Sequence, residues 1–367
     1  MVTTMTNETI LKHMEALAEY RRELYLSPRL ITLFFELTDA CNMKCLHCGS
    51  CASPSNKRYL PSDLVRKTLD EVAEKYNPSK ILICYSGGEP LLHPDFFSLV
   101  EYATKKGFYC GITSNGTLIN KENARRLKEC GLRSVSISID GTRESHDWFR
   151  GQSGAYDRAM AGIKNLVGVG GIYTQITTVI HKKSIDLLDD IYNAVILSGA
   201  HSWRPIGIDP IGRALEHNEL MLDGYDYKKL IDYIKDKRCD KSNKIEVTYG
   251  CSHYLGVDYE REARDFYFIC MAGIMNASIL CNGDIYGCMD IERRSELIEG
   301  NIYKDSFVDV WENGFKVFRQ NKAYKCHECS VCEDRDFCCG ESSHTWDYNK
   351  NEPMVCLKKY LKYRRQK

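Results

Sequence analysis

The stretch ITLFFELTDACNMKCLHCGSC, residues 31–51, joins an apolar run to a cysteine-rich loop. The run at 31–36 is β-rich and predicts a strand. The loop after it reads Cys41-x3-Cys45-x2-Cys48. Thiolates this close on one loop can wrap a corner of a cubane cluster and cap three of its irons. A zinc site wants four ligands, and Cys51 is the candidate for a fourth. With three cysteines alone, one iron keeps a position open to a substrate.

Working outward, further apolar, β-rich runs predict strands at 80–85, 108–113, 133–139, 172–180 and 202–208. Helix-length segments lie between most of them, with apolar residues three and four apart. In 62–76, Leu64, Leu69, Val72 and Ala73 share a face; in 184–199, Ile185, Leu188, Ile191, Tyr192 and Val195 do. Gly107 and Gly131 stand where helix C-caps belong. Repeated strand–helix alternation predicts a parallel sheet covered by helices, as an open sheet or a partial barrel. Ligands then bind at the carboxyl ends of the strands. Residues 1–28 read as an amphipathic helix ahead of this core. After about residue 210 the pattern changes, and a helix at 225–237 leads into a turn-rich, cysteine-rich region. The expected division is a helical extension at 1–30, a core domain at 31–239 and a cysteine-rich domain at 240–367.

The predicted strand ends carry groups suited to one ligand. The second ends in Ser86-Gly87-Gly88-Glu89-Pro90. Glycines let backbone approach a ligand closely, and a carboxylate suits an ammonium group. The third ends in Ser114-Asn115-Gly116 and the fourth in Ser138-Ile139-Asp140-Gly141. Taken singly, each is ordinary turn chemistry. Together with the cysteine triplet directly after the first strand, they resemble the radical SAM superfamily. The resemblance implies a 4Fe–4S cluster on Cys41, Cys45 and Cys48, whose open iron chelates the amino and carboxylate groups of S-adenosylmethionine. Reductive cleavage of that molecule gives a 5′-deoxyadenosyl radical, which abstracts a hydrogen atom. The resemblance also implies that Gly87, Gly88 and Glu89 receive the methionine amino group. Ser114, Asn115, Ser138 and Asp140 would contact ribose hydroxyls or the carboxylate, and Arg150 would clamp the carboxylate. His47 stands where relatives carry an aromatic residue facing the adenine.

The C-terminal region contains Cys270-x12-Gly283-x4-Cys288, then Cys329-x2-Cys332-x5-Cys338, then Cys356. Asn282-Gly283-Asp284 is a hairpin turn signal that brings Cys270 and Cys288 near each other. A zinc knuckle on Cys326, Cys329 and Cys332 is the competing reading. The pattern resembles the SPASM extension of radical SAM enzymes. This implies one or two auxiliary 4Fe–4S clusters. For the whole chain it implies an α/β fold, a partial (β/α)6 TIM-like barrel with a small C-terminal cysteine-rich iron–sulfur domain. By that resemblance Cys329, Cys332, Cys338 and Cys356 form a complete distal set, and Cys270 and Cys288 belong to a proximal one. Relatives usually have a cysteine four residues after the one matching Cys338, but this chain has Ser342. Cys251, Cys281, Cys326 or Cys339 could complete the proximal set; otherwise its cluster has an open iron or is absent.

Lys plus Arg and Asp plus Glu balance at 50 each, which argues against a strongly basic nucleic-acid surface. No stretch reaches the roughly 18 apolar residues of a membrane span, and the N-terminus lacks an apolar signal core. A cytoplasmic protein with no membrane or nucleic-acid partner is expected, so its eighteen cysteines are not a disulfide framework. The scattered Cys84, Cys110, Cys130 and Cys239 read as core or surface residues.

SPASM relatives mostly modify peptides. The resemblance therefore implies a ribosomally made peptide or protein substrate, an external reductant such as flavodoxin or ferredoxin, and anaerobic handling. A thioether or carbon–carbon crosslink leads on base rate. The alternatives are peptide or sugar epimerisation, formylglycine-type oxidation, and a non-catalytic iron–sulfur electron carrier. Cys251 is the candidate hydrogen donor for an epimerase, or a cluster ligand. For the oxidation, Asp290 lies one residue away from the expected base position. About 30 residues precede the first strand, too few for a leader-binding domain, so a separate protein or another surface would hold a leader peptide. The aromatic stretches at 249–259 and 344–348 either line a groove or pack as core.

Overall fold

The structure, a computed structural model, describes residues 7–361, so the start of the predicted N-terminal helix lies outside the described residues. Helix α1 (Asn7–Leu26) precedes a run of parallel strands in sequential order. These are β1 (Thr32–Glu36), β2 (Leu82–Ser86), β3 (Tyr109–Ser114), β4 (Ser134–Ser138), β5 (Tyr173–Ile180) and β6 (Ser202–Gly207). They are joined by α2 (Ser62–Lys75), α3 (Phe96–Lys105), α4 (Lys121–Glu129), α5 (Arg143–Arg150), α6 (Ala155–Val169) and α7 (Leu188–Ser198). Right-handed crossovers that always step to the next neighbour place the helices on one face of the sheet.

That face buries alternate apolar residues: Leu33 and Phe35, Ile83 and Tyr85, Val135 and Ile137 are at most 1% exposed. The side-chain period of two turns the intervening residues inward. They include Cys84, Thr113, Ser136, Gln175, Thr177 and Arg204, a largely polar set. Ser136 and Thr177 bond to each other at 2.7 Å, and Arg204 Nη2 donates to Thr177 Oγ1 at 3.2 Å. The Cys84 thiol on β2 lies within electrostatic reach of Arg204 on β6. In a flat sheet these strands would stand roughly 19 Å apart. The sheet is therefore curled, with the polar face inside.

The barrel does not close on itself. Beyond β6, helix α8 (Gly224–Cys239) leads to β7 (Glu246–Val247), which pairs with β6. On the other edge β1 pairs in parallel with β8 (Asn276–Ile279), which continues through β9 (Asp284–Tyr286) to β10 (Gly300–Asn301). The cysteine-rich region thus supplies strands to both edges of the core sheet, which leaves neither edge of β1–β6 unpaired.

One detail differs from the sequence reading, and one alternative it left open is decided. In α2 the buried stripe is Val65, Thr68, Leu69 and Val72, with Leu64 and Ala73 only at its margins. Tyr249, Tyr254 and Trp346, from the two aromatic stretches, are at most 1% exposed and pack as core. No described helix is long and apolar enough to cross a membrane.

Candidate active site

The loop after β1 crosses the carboxyl ends of the strands. Cys41 and Cys45, each 7% exposed, pack with Cys48 around Met43 and Ala52. Cys51 is exposed, in a left-handed turn at φ 51°. Burial pushes Cys41 up to about 12 and raises Cys45 as well. Thiolates form there only against positive charge. Arg213 grips the loop through its backbone: Nε donates to Cys45 O at 2.7 Å and Nη2 to Ala52 O at 2.9 Å. Nothing in the sequence pattern pointed to Arg213, which lies far along the chain in a short 3-10 helix, Gly212–Glu216.

The glycines after β2 pack directly against this loop. Gly88 N–H donates to Thr38 O at 2.7 Å, and Glu89 N–H donates to Ala40 O at 2.9 Å. A Cβ added at Gly87 or Gly88 would overlap the Thr38 or Ala40 carbonyl. Glu89 is fully buried and accepts from Ser114 Oγ at 2.9 and 3.0 Å and from Asn115 N–H at 2.9 Å. Burial pushes its carboxyl up to about 7 against the pull of those donors. Asn115 Nδ2 donates to Asn42 Oδ1 at 2.8 Å and sits 3.9 Å from Cys41 Sγ.

At the end of β4, Ser138 pairs in register with Thr177, and Asp140 is fully buried. Asp140 Oδ2 accepts from Arg150 Nε at 2.5 Å, and Oδ1 accepts from Val179 N–H at 2.9 Å. Burial would raise this carboxyl, but Arg150, His47, His146 and the Val179 N–H together outweigh it and the net shift is downward. Arg150, 8% exposed, also places Nη1 3.7 Å from Cys45 Sγ. The His47 ring stacks on Phe149 at 4.2 Å, and Phe149 stacks on His181 at 4.3 Å. Burial holds the His47 imidazole down to about 3, and its Nδ1 has no protein partner. Phe149 and His181 were missed; examining the fifth strand end as closely as the first four would have found His181.

The C-terminal cysteines gather in two places. The half-buried Cys288 has Asp290, Cys251 and Cys270 as electrostatic neighbours, and Cys251 neighbours Cys270, Arg204 and Asp290. Cys329 has Cys326, Cys356 and Cys332 around it, and Cys338 neighbours Cys356. Cys326 therefore sits with the second group. Cys281 lies beside Glu36 and Asp39, at the mouth of β1. Cys339 accepts from Arg21 Nη1 at 2.7 Å, under α1. Ser342, 1% exposed, donates to Ser252 O at 2.5 Å and bonds Thr345 Oγ1 at 2.8 Å. Among the described residues no group of three His, Cys, Asp or Glu side chains could hold a single metal ion. A cubane takes its thiolates on separate irons and does not need that crowding.

The buried thiols, the unpartnered His47 nitrogen and the glycine cradle fit an iron–sulfur cluster with a polar ligand over it. Comparison with known proteins agrees. Residues 35–195 match the radical SAM superfamily, and residues 270–333 match an iron-sulfur cluster-binding domain, SPASM. The AdoMet-dependent heme synthase of Methanosarcina barkeri is 30% identical over 89% of this chain and 96% of that protein. The chain belongs to the radical SAM superfamily. The mycofactocin maturase of Mycobacterium ulcerans is also 30% identical, over 84% of this chain and 82% of its own. Among solved structures, Streptococcus suis SuiB bound to S-adenosylmethionine matches with a TM-score of 0.70, at 17% identity, over 89% of this chain and 76% of that one. The anSMEcpe structure with bound AdoMet matches at 0.69 and 20% identity, over 90% and 94%. This radical SAM protein is an enzyme, and its cofactors are 4Fe–4S clusters and S-adenosylmethionine.

Proposed function

We propose that this radical SAM enzyme modifies a peptide substrate held against the polar inner face of its curled sheet. The observation that carries this reading is position. The Cys41, Cys45 and Cys48 knot sits after the first strand of that face, and Arg204 of the same face adjoins Cys251, which neighbours Cys270 and Cys288. Cys41, Cys45 and Cys48 would hold the first cluster, and Cys329, Cys332, Cys338 and Cys356 the distal one. Bound together, cluster and S-adenosylmethionine supply a 5′-deoxyadenosyl radical for hydrogen abstraction. The chain's own part is placement. Glu89, braced by Ser114 and Asn115, offers negative charge to an ammonium. Arg150, braced by Asp140, sets positive charge beside Cys45. His47, Phe149 and His181 form an aromatic stack that excludes water. An external reductant would deliver electrons, and the core and cysteine-rich units would divide near residues 239 and 240.

The test is anaerobic incubation of reduced, cluster-loaded protein with S-adenosylmethionine and candidate peptides. Release of 5′-deoxyadenosine is expected, with loss of two hydrogens from the peptide if a crosslink forms. A peptide of unchanged mass and stereochemistry would count against this substrate class. A second reading, a tetrapyrrole substrate, is favoured by the match to heme synthases over 94 to 96% of their length. Arg204, whose buried Nε has no protein partner, would receive a carboxylate there. Turnover of Fe-coproporphyrin III, with peptides untouched, would select it.

A further inference from the structure

We propose that Arg21 of helix α1 is a positioning residue for the auxiliary iron–sulfur site, where its buried charge offsets the negative charge of the cysteine-bound cluster and makes that cluster easier to reduce. This rests on the iron–sulfur reading above and deepens it. Met14, Ala18 and Leu24 lie on the buried face of α1, at helical spacing, and Arg21 stands among them at 3% exposure. A charged residue is out of pattern on that face. A buried guanidinium stays charged, and it is costly there unless both its N–H donors and its charge are met. Nη1 donates to Asp336 O at 3.1 Å, Phe337 O at 3.0 Å and Cys339 Sγ at 2.7 Å, and Nη2 donates to Phe268 O at 2.9 Å. These acceptors are carbonyls and a sulfur, with no carboxylate among them. Nε is buried and has no protein partner.

The acceptors adjoin cysteines of the auxiliary site. Phe268 lies just upstream of Cys270, and Phe337 directly precedes Cys338. One guanidinium therefore ties together two chain segments that carry those thiols. A second buried cation joins it. Lys322, 6% exposed, donates from Nζ to Glu341 O at 3.1 Å and to Ser343 Oγ at 3.2 Å. The same two residues reach the cysteines: Ser343 N–H donates to Cys270 Sγ at 3.3 Å, and Glu341 N–H donates to Cys338 Sγ at 3.2 Å. Such hydrogen bonds orient a coordinating sulfur. Arg21, Lys322, Cys270, Cys338 and Cys339 line one cavity of about 20 Å³. What answers the two positive charges is the set of thiolates and the cluster they carry. Reduction adds a negative charge to a cluster, so a fixed cation beside it favours the reduced form.

The test uses full-length protein carrying Cys41→Ala, Cys45→Ala and Cys48→Ala, so that only the cysteine-rich region reports. After anaerobic reconstitution this background protein should bind at least about four irons, at four per cubane. Its electron spin resonance is followed while dithionite is added with mediator dyes. Arg21→Met removes the charge, suits the apolar face and should leave the iron content unchanged. At the background protein's midpoint it should lower the reduced-to-oxidised ratio about ten-fold, about 59 mV for one electron. Arg21→Lys keeps the charge and should stay within about two-fold. Arg22→Met, exposed on the same helix, should move nothing. An unmoved midpoint in Arg21→Met would overturn the inference, as would an equal fall in Arg21→Lys or Arg22→Met. Should Arg21→Met lose iron, retention of iron and midpoint in Arg21→Lys supports the counter-charge, and anything less overturns it. A background protein that binds no iron would overturn the iron–sulfur reading of the region and this inference with it. Full iron with an unmoved midpoint overturns this inference alone.

Discussion

The two cysteine regions reach their sites by opposite routes. Cys41, Cys45 and Cys48 share one loop, and the groups that steady them come mainly from successive strand ends: Gly88, Asn115, then Asp140 with Arg150. Cys251, Cys270 and Cys288 come from separate turns with residues 342–345 packed among them. The first site is built by local spacing on a repeating scaffold. The second is built by long-range packing, with Ser342 and Ser343 from a distant segment set against it.

This contrast can be broken at several points. Cys45→Ala should lower 5′-deoxyadenosine release about a thousand-fold, a barrier increase of about 4 kcal/mol. Cys288→Ala should keep S-adenosylmethionine cleavage within about ten-fold while abolishing product, because the first site does not depend on the second; chromatography of both products checks this. Equal losses would mean the regions act as one unit. Asp140→Asn strands the buried Arg150 charge and should cost about 3 kcal/mol in urea unfolding. Gly88→Ala forces a methyl against the Ala40 carbonyl. It should cost about 2 kcal/mol and lower the iron content of the first site. Glu89→Gln should leave iron content intact and weaken S-adenosylmethionine binding about ten-fold by calorimetry, roughly 1.4 kcal/mol. Cys51→Ala should change neither iron content nor stability by more than about 0.5 kcal/mol.

The strand–helix alternation made the parallel sheet readable, because aliphatic periodicity reports directly which face meets helices. Periodicity alone left an open sheet and a partial barrel both standing; the family resemblance implied the barrel, and the curl shows in Cys84 on β2 and Arg204 on β6 being neighbours. The Gly-Gly-Glu motif was readable as a ligand cradle, but its second role was not. Gly87 and Gly88 also let β2 close against Thr38 and Ala40. Arg150 was legible only as a motif residue; its partnership with Asp140 at 2.5 Å came from the fold. Arg213, which ties down the cysteine loop, left no trace in local pattern.

By itself the sequence determined the chemistry available: three thiols spaced for one cluster corner, a carboxylate after two glycines, and a serine at 342 where the resemblance led one to expect a cysteine. These are properties of short segments, where spacing along the chain nearly equals spacing in space. Only the tertiary structure decided that Cys251 lies beside Cys270 and Cys288, and that Ser342 is bound to Ser252 rather than free. Those contacts join residues distant in sequence, and their geometry is set by how the cysteine-rich region packs on both edges of the core sheet.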